Sequence, residues 1–412
     1  MQLAELDLRR GFVILAITAF ATSLSMGVQQ AILPNFLREE IGMDGAQNGY
    51  LVAFRELPGF LLAFVAALLL RLGMARATAL ALLIMGIGYA SFALTHTFTA
   101  VVIVAVVGSL GFHSWLQMQY ALGLSLARRG EEGSVLGRIS SVGFAGRMLG
   151  MVSVLLVLLL VGRLADSPDD LQGTVFRVLF IVGGVSAVVA GVAILRFPTA
   201  PGDDQARGSA RKLTLRREYW LYYLLSFLDG CRMEIYFAFA PFVLVEQFGV
   251  KATAITTLLI TAGLINWRTA PWIGRLIDRY GERRMLTINY CGHLVVFLGF
   301  ALAGNVWLLY LFYLGYNFLF TFSIGTTTYL RKIARPHEIP STLAMGVSWA
   351  HVAAVAVPVF GAALWTQLGY QFPFLFGTAF VILSIIFTRK IDIERQRVVE
   401  PPVVLASGAA DD

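Results

Sequence analysis

Twelve predominantly apolar runs, each long enough to cross a bilayer, divide this chain and leave little sequence between them. They fall at about 11–33, 47–70, 76–94, 99–126, 139–162, 175–195, 219–245, 254–276, 285–303, 306–329, 342–367 and 372–388. A helix rises 1.5 Å per residue, so about 20 apolar residues span the hydrocarbon layer. Inside that layer the backbone must satisfy its own hydrogen bonds, which leaves an all-α polytopic bundle as the expected fold. Composition agrees: 58% of the 412 residues are hydrophobic and only 14% are charged, against about 25% charged in soluble domains.

The loops alternate in charge. Arg9, Arg10, Arg71, Arg76, Arg128, Arg129, Arg138, the 196–217 segment, Arg279, Arg283, Arg284, Arg331, Lys332, Arg335 and the tail from Arg389 fall on one side. Only Arg38, Arg163, Arg177 and Lys251 fall on the other. By the positive-inside rule both termini and the central loop are expected in the cytoplasm. The net charge of +7 therefore reports topology, and no nucleic-acid partner is expected. The first apolar run is full length and lacks a small-residue cleavage site, so a removable leader is not expected. Low charge and a preference for arginine over lysine suit a bacterial inner membrane. Cys231 and Cys291 lie inside apolar runs, which argues for free thiols and against a disulfide or metal framework. No metal and no cofactor is expected.

The chain repeats itself. Arg9-Arg10 and Arg216-Arg217, Pro34 and Pro241, and Gly42 and Gly249 are each 207 residues apart. Arg71, Gly73 and Arg76 match Arg279, Gly281 and Arg284 at an offset of 208, and Gly111 matches Gly315 at 204. Such symmetry marks a transporter built from repeats. The expected organisation is a first bundle at 1–197, a linker at 198–217, a second bundle at 218–390 and a disordered tail at 391–412.

The loop after the eighth run reads Gly274-Arg275-Leu276-Ile277-Asp278-Arg279-Tyr280-Gly281-Glu282-Arg283-Arg284. It resembles the G-x-x-x-D-R-x-G-R-R signature of the major facilitator superfamily, and the resemblance extends to helix count, repeat, linker and topology. It implies twelve helices in two pseudo-symmetric six-helix bundles, a monomer, and a cavity lined by helices 1, 4, 7 and 10. It also implies that Gly274, Asp278, Arg279 and Gly281 form a gating loop that latches helix ends. The first-half copy is degenerate, with Leu70 where the acid should stand. On helix 5, Gly137 followed by Gly146-Arg147-Met148-Leu149-Gly150-Met151 is similar to the family's antiporter signature, with Arg147 replacing its proline. Small residues there also serve simply to let helices approach closely.

Charges inside the membrane mark the candidate site, because each costs several kcal/mol unless paired or hydrated. Helix 7 carries Asp229, Arg232 and Glu234 near mid-membrane. By helical spacing Asp229, Arg232 and Tyr236 share a face expected to look into a cavity, and Glu234 points towards a neighbouring helix. The 207 offset maps that face onto Thr22, Ser25 and Gln29 of helix 1. Helix 4 offers His113, Gln117 and Tyr120; the 204 offset maps the first two onto Asn317 and Thr321 of helix 10, beside Tyr313 and Tyr316. Flanking helices add Arg55, Glu56, Arg147, Arg268 and His351. Arg55 and Glu56 diverge by about 100° on a helix and are not expected to pair with each other. Glu234 is expected to answer Arg55 or Arg268.

Excess arginine favours an anionic or zwitterionic solute, and the buried acids Glu234, Asp229 and Glu56 offer proton-coupling groups. The expected function is a secondary active transporter working by alternating access, coupled to H⁺ or else Na⁺. An alternative is a multidrug or lipid-like efflux pump, favoured by the cavity aromatics. A polytopic enzyme is disfavoured, since no H-E-x-x-H or G-x-S-x-G motif occurs and enzymology does not explain the repeat. ATP-driven transport is disfavoured too, for want of a phosphate-binding loop.

Overall fold

The computed structural model describes residues 2–60, 72–127, 132–198, 215–335 and 338–396. The first half comprises α1 (Gln2–Asn35), α2 (Gly45–Phe60), α3 (Met74–Ser91), α4 (Phe98–Ser125), α5 (Glu132–Leu164) and α6 (Pro168–Ile194). The second comprises α7 (Trp220–Phe248), α8 (Ala252–Tyr280), α9 (Glu282–Leu302), α10 (Val306–Phe320), α11 (Ile324–Ile333), α12 (Ile339–Leu368), α13 (Gln371–Thr388) and the short α14 (Ile393–Gln396). A 3₁₀ turn at Thr321–Ser323 joins α10 to α11, and together they make the tenth span. The chain is thus an all-α membrane protein of twelve spans. Most of the expected linker and tail, with Leu70, Arg71, Arg128 and Arg129, lies outside the described residues.

Nine helical stretches among the described residues are long and apolar enough to cross a membrane. α7 falls short of that measure because Asp229, Arg232 and Glu234 interrupt it. Large apolar side chains such as Ile17, Ile87, Leu160, Val185, Val295 and Leu311 face outward and exposed. A soluble protein would bury such a surface; here it is the face offered to lipid.

The internal repeat reappears in the backbone. Gly42 and Gly249 have φ of 75° and 61°, and Gly73 and Gly281 have 79° and 78°. Each of these glycines sits at a helix boundary, in a conformation that glycine alone adopts without strain. Within the first half, α5 packs directly on α1. A Cβ at Gly146 would meet the carbonyl of Phe20, and one at Gly150 the carbonyl of Leu24. Gly146 and Gly150 of the helix 5 signature therefore act as close-approach residues in this arrangement.

The two halves meet chiefly along α2 with α12 and α5 with α8. Several polar bonds between them cluster at the end remote from the basic loops. Asn35 Nδ2 donates to the Val250 carbonyl at 2.9 Å, and Asn48 Nδ2 to that of Ala238 at 2.5 Å. Thr256 reaches the Ala31 carbonyl at 3.4 Å, and Arg38 pairs with Glu246 at 3.5 Å. The indole of Trp365 stacks on Phe239 at 5.6 Å and covers Gly45.

Candidate functional site

Between the halves lies a cavity of about 500 Å³ bounded by α1, α2, α4, α5, α7, α8 and α10. Its polar lining is Gln29 and Gln30 of α1, Arg55 and Glu56 of α2, Ser109 and His113 of α4, and Arg147 of α5. Met233, Phe237 and Pro241 of α7, with Tyr89 and Tyr313, supply much of the rest. The first half contributes the charges and the second an apolar wall.

Arg55 and Glu56 do pair, contrary to expectation from their directions on the helix. The guanidinium bends back to Glu56 Oε1 at 3.3 Å, because a long flexible stem spans the divergence that a short side chain could not. Glu56 Oε2 faces His113 Nε2 at 3.4 Å and His351 Nδ1 at 3.9 Å. His351 belongs to α12, so this contact crosses between the halves. Ser109 Oγ gives its hydrogen to the Arg55 carbonyl, and His113 Nδ1 lies 3.0 Å from both Ser109 Oγ and the Ser109 carbonyl. Two acceptors around Nδ1 assign it the ring proton, leaving Nε2 to face the carboxylate.

Arg147 differs. Among the described residues no carboxylate lies within ion-pair distance of it, and its polar neighbour is the sulfur of Met26 at 3.8 Å. A half-buried guanidinium in a cavity, answered only by a thioether, is poised for an anion that the protein itself does not supply.

The face of helix 7 expected to look into the cavity is turned away from it. Arg232 is 3% exposed, bonds Asp229 and Ser384, and lies over the Tyr290 ring at 4.3 Å. Asp229 also accepts from Thr326 at 3.0 Å. Aromatic and hydroxyl partners on α9 and α13 draw the guanidinium into the second bundle, so Met233 and Phe237 meet the cavity instead. Tyr236 is buried, donates to the Tyr313 carbonyl at 2.9 Å, and stacks on Tyr316 at 3.5 Å between centroids. Asn317 Nδ2 donates to the Tyr236 hydroxyl and the Tyr313 carbonyl, each at 2.9 Å. Tyr236, Tyr316 and Asn317 thus brace the cavity wall from behind.

Thr22 and Ser25 are likewise fully buried, with Gln29 alone of that trio on the cavity. Gln117 and Tyr120 continue the His113 face and are exposed. Glu234, 7% exposed, feels the charges of Glu56 and Arg55 but makes no ion pair with a described residue. Arg268 is exposed and does not answer it, since its helix presents it outward. Asp278 and Arg279, expected in a loop, lie in the last turn of α8; both are exposed, and Arg279 rests on the Tyr280 ring at 5.3 Å. The helix-end pairing expected of Asp278 and Arg279 is absent among the described residues. The buried Glu282 is held there instead, by Lys332 at 2.6 Å. Gln30, Ser109 and Tyr89 complete the cavity without having been singled out from the sequence; adjacency to Gln29 was the one available signal for Gln30.

The family model of the Major Facilitator Superfamily matches residues 15–330 and 224–405. The chain belongs to the major facilitator superfamily. No curated protein matches the sequence. Solved structures of the superfamily fold do resemble it. The nucleoside transporter NupG superposes with a TM-score of 0.74 at 16% identity, over 92% of this chain and 98% of that one. A bacterial homologue of the human lysosomal transporter Spinster, inward-facing and unoccupied, gives 0.72 at 12% identity over 96% and 99%. The xylose transporter XylE from E. coli, partially occluded and inward-open, gives 0.66 at 14% over 93% and 97%. The fold is that of the superfamily, and the solved structures named here are of transporters.

Proposed function

We propose that this protein is a secondary active transporter that moves a small anionic or zwitterionic organic solute by alternating access, with proton coupling. The observation that carries the solute class is Arg147, a cavity guanidinium with no carboxylate partner among the described residues. Arg55 lines the same cavity but is shared with Glu56, and Gln29 and Gln30 add neutral hydrogen-bonding groups. A carboxylate or phosphate on the solute would take the guanidinium fork bidentately. The apolar wall of Met233 and Phe237 suits the body of such a solute.

Glu234 is the coupling group we favour. It is a buried acid at mid-membrane with no ion-pair partner among the described residues, one residue from the cavity-lining Met233. Loading it with a proton would remove a buried charge and so bias the packing of α7 against the first half. The cluster of bonds between halves at the end remote from the basic loops supports a conformation closed there. If the basic loops are cytoplasmic, that state is inward-facing, as the Spinster homologue and XylE are in the structures they resemble.

The test is solute flux in proteoliposomes under an imposed pH gradient, with dicarboxylates, amino acids and nucleoside monophosphates as cargo. Accumulation of at least one of these, abolished by Arg147→Gln and uncoupled from pH by Glu234→Gln, supports the reading. Flux restricted to hydrophobic cations, indifferent to Arg147→Gln, would place the multidrug efflux reading first.

A further inference from the structure

We infer that Glu56, His113 and His351 form a binding site for a divalent transition-metal ion of the Zn²⁺ class, which ties the two halves together. The three candidate ligand atoms, Glu56 Oε2, His113 Nε2 and His351 Nδ1, all lie within 4.8 Å of one another. They come from α2, α4 and α12, so two helices of one bundle and one of the other converge on a single point.

The hydrogen-bond network decides what that point can hold. Ser109 Oγ spends its hydrogen on the Arg55 carbonyl, so both of the Ser109 oxygens accept from His113 Nδ1. Nε2 then points at a carboxylate oxygen 3.4 Å away, where a proton or a metal ion can bridge the two. A proton alone would satisfy the His113–Glu56 pair; the third ligand atom, His351 Nδ1, within 4.8 Å of both, is what favours a metal ion. A backbone carbonyl holding the far nitrogen of a histidine is also the outer-sphere arrangement of metal-ligating imidazoles, since it fixes the tautomer and the ring.

The dimensions fit a first-row divalent ion. Bonds of about 2.0–2.1 Å in a tetrahedron place ligand atoms roughly 3.3–3.4 Å apart. The Glu56–His113 edge already has that length; the Glu56–His351 edge, at 3.9 Å, and the His113–His351 edge, within 4.8 Å, would shorten on binding. Two imidazoles and one carboxylate suit Zn²⁺, Ni²⁺ or Co²⁺ and not Mg²⁺ or Ca²⁺. Glu56 Oε1 is occupied by Arg55 and Oε2 is not. Arg55 and Arg147 in the same cavity argue against the free ion as cargo, and favour a bound ion that holds this closed arrangement.

The experiment uses the full-length protein in nanodiscs, purified without a histidine tag and titrated with ZnCl₂ by calorimetry. One ion per chain is expected to bind, raising the melting temperature by mass action. Glu56→Gln and His351→Asn, one in each half, should each weaken binding by at least about tenfold. His351→Asn is the safer variant, because His351 is partly exposed and outside the Ser109 network; its metal-free melting temperature reports whether folding is intact. X-ray absorption at the zinc edge should show imidazole nitrogen and carboxylate oxygen. Absence of binding to the wild type, or binding that both variants leave unchanged, would overturn the assignment. The readout needs no transported solute, so it stands apart from the solute reading.

Discussion

Glu246, near the end of α7, accepts the backbone N–H of Gly45 at the start of α2 at 3.1 Å. The same carboxylate faces Arg38 at 3.5 Å. One side chain of the second half thus holds both the backbone and a cation of the first, at the end where the halves are closed. The N–H bond to the carboxylate contributes about 1.5–3 kcal/mol, and the partly exposed Arg38 pair less than about 1 kcal/mol. Glu246→Ala should shift the population towards a state open at that end. Electron–electron resonance between spin labels at Leu164 and Leu368, both exposed at that end, would show a new longer distance. An unchanged distribution would mean that apolar packing alone keeps it closed.

Arg232 and Asp229 make the opposite kind of pair, buried within one half. Removing one partner of a buried pair leaves an uncompensated charge and costs roughly 3–5 kcal/mol, less where water reaches the survivor. Arg232→Leu should lower the melting temperature and leave ligand-induced stabilisation intact. Loss of ligand response with normal stability would return Arg232 to the binding site.

The helix 5 glycines offer a matched comparison. Gly146→Ala forces a methyl group against the Phe20 carbonyl, whereas Gly137 has nothing within 4 Å. Overpacking of this kind costs about 1–3 kcal/mol, so Gly146→Ala should destabilise the protein. Gly137→Ala should be neutral or gain up to about 1 kcal/mol from helix propensity. Thermal unfolding in detergent compares the two directly.

Asp278 is exposed in this conformation, so its role, if it latches helix ends, belongs to another state. Asp278→Asn should leave the stability within about 0.5 kcal/mol of wild type while slowing flux in proteoliposomes. A stability loss comparable to that of Arg232→Leu would show that it is bonded here.

The fold was legible because its cause is local. Each span announces itself by length and hydropathy, and the repeated glycines sit where positive φ is required. The site was legible only in part. Helical spacing groups Asp229, Arg232 and Tyr236 but says nothing of which neighbours they meet, and Arg232 found Tyr290 and Ser384 inside its own bundle. Directions at Cβ also misled for Arg55 and Glu56, whose long side chains close the gap. The Glu56, His113 and His351 cluster has no sequence signature, since its members lie 57 and 238 residues apart and meet only when the halves pack.

The most direct test of the central claim is a thermal-shift comparison of wild type with Arg147→Gln. The ligands would be organic anions, zwitterions, hydrophobic cations and lysolipids. A ligand at 100 times its Kd stabilises the protein by about 2.7 kcal/mol. The account predicts such a shift for an anion or zwitterion with the wild type and its loss in Arg147→Gln, with the unliganded melting temperatures alike. Stabilisation by anions that survives Arg147→Gln, or by cations and lipids alone, would contradict it.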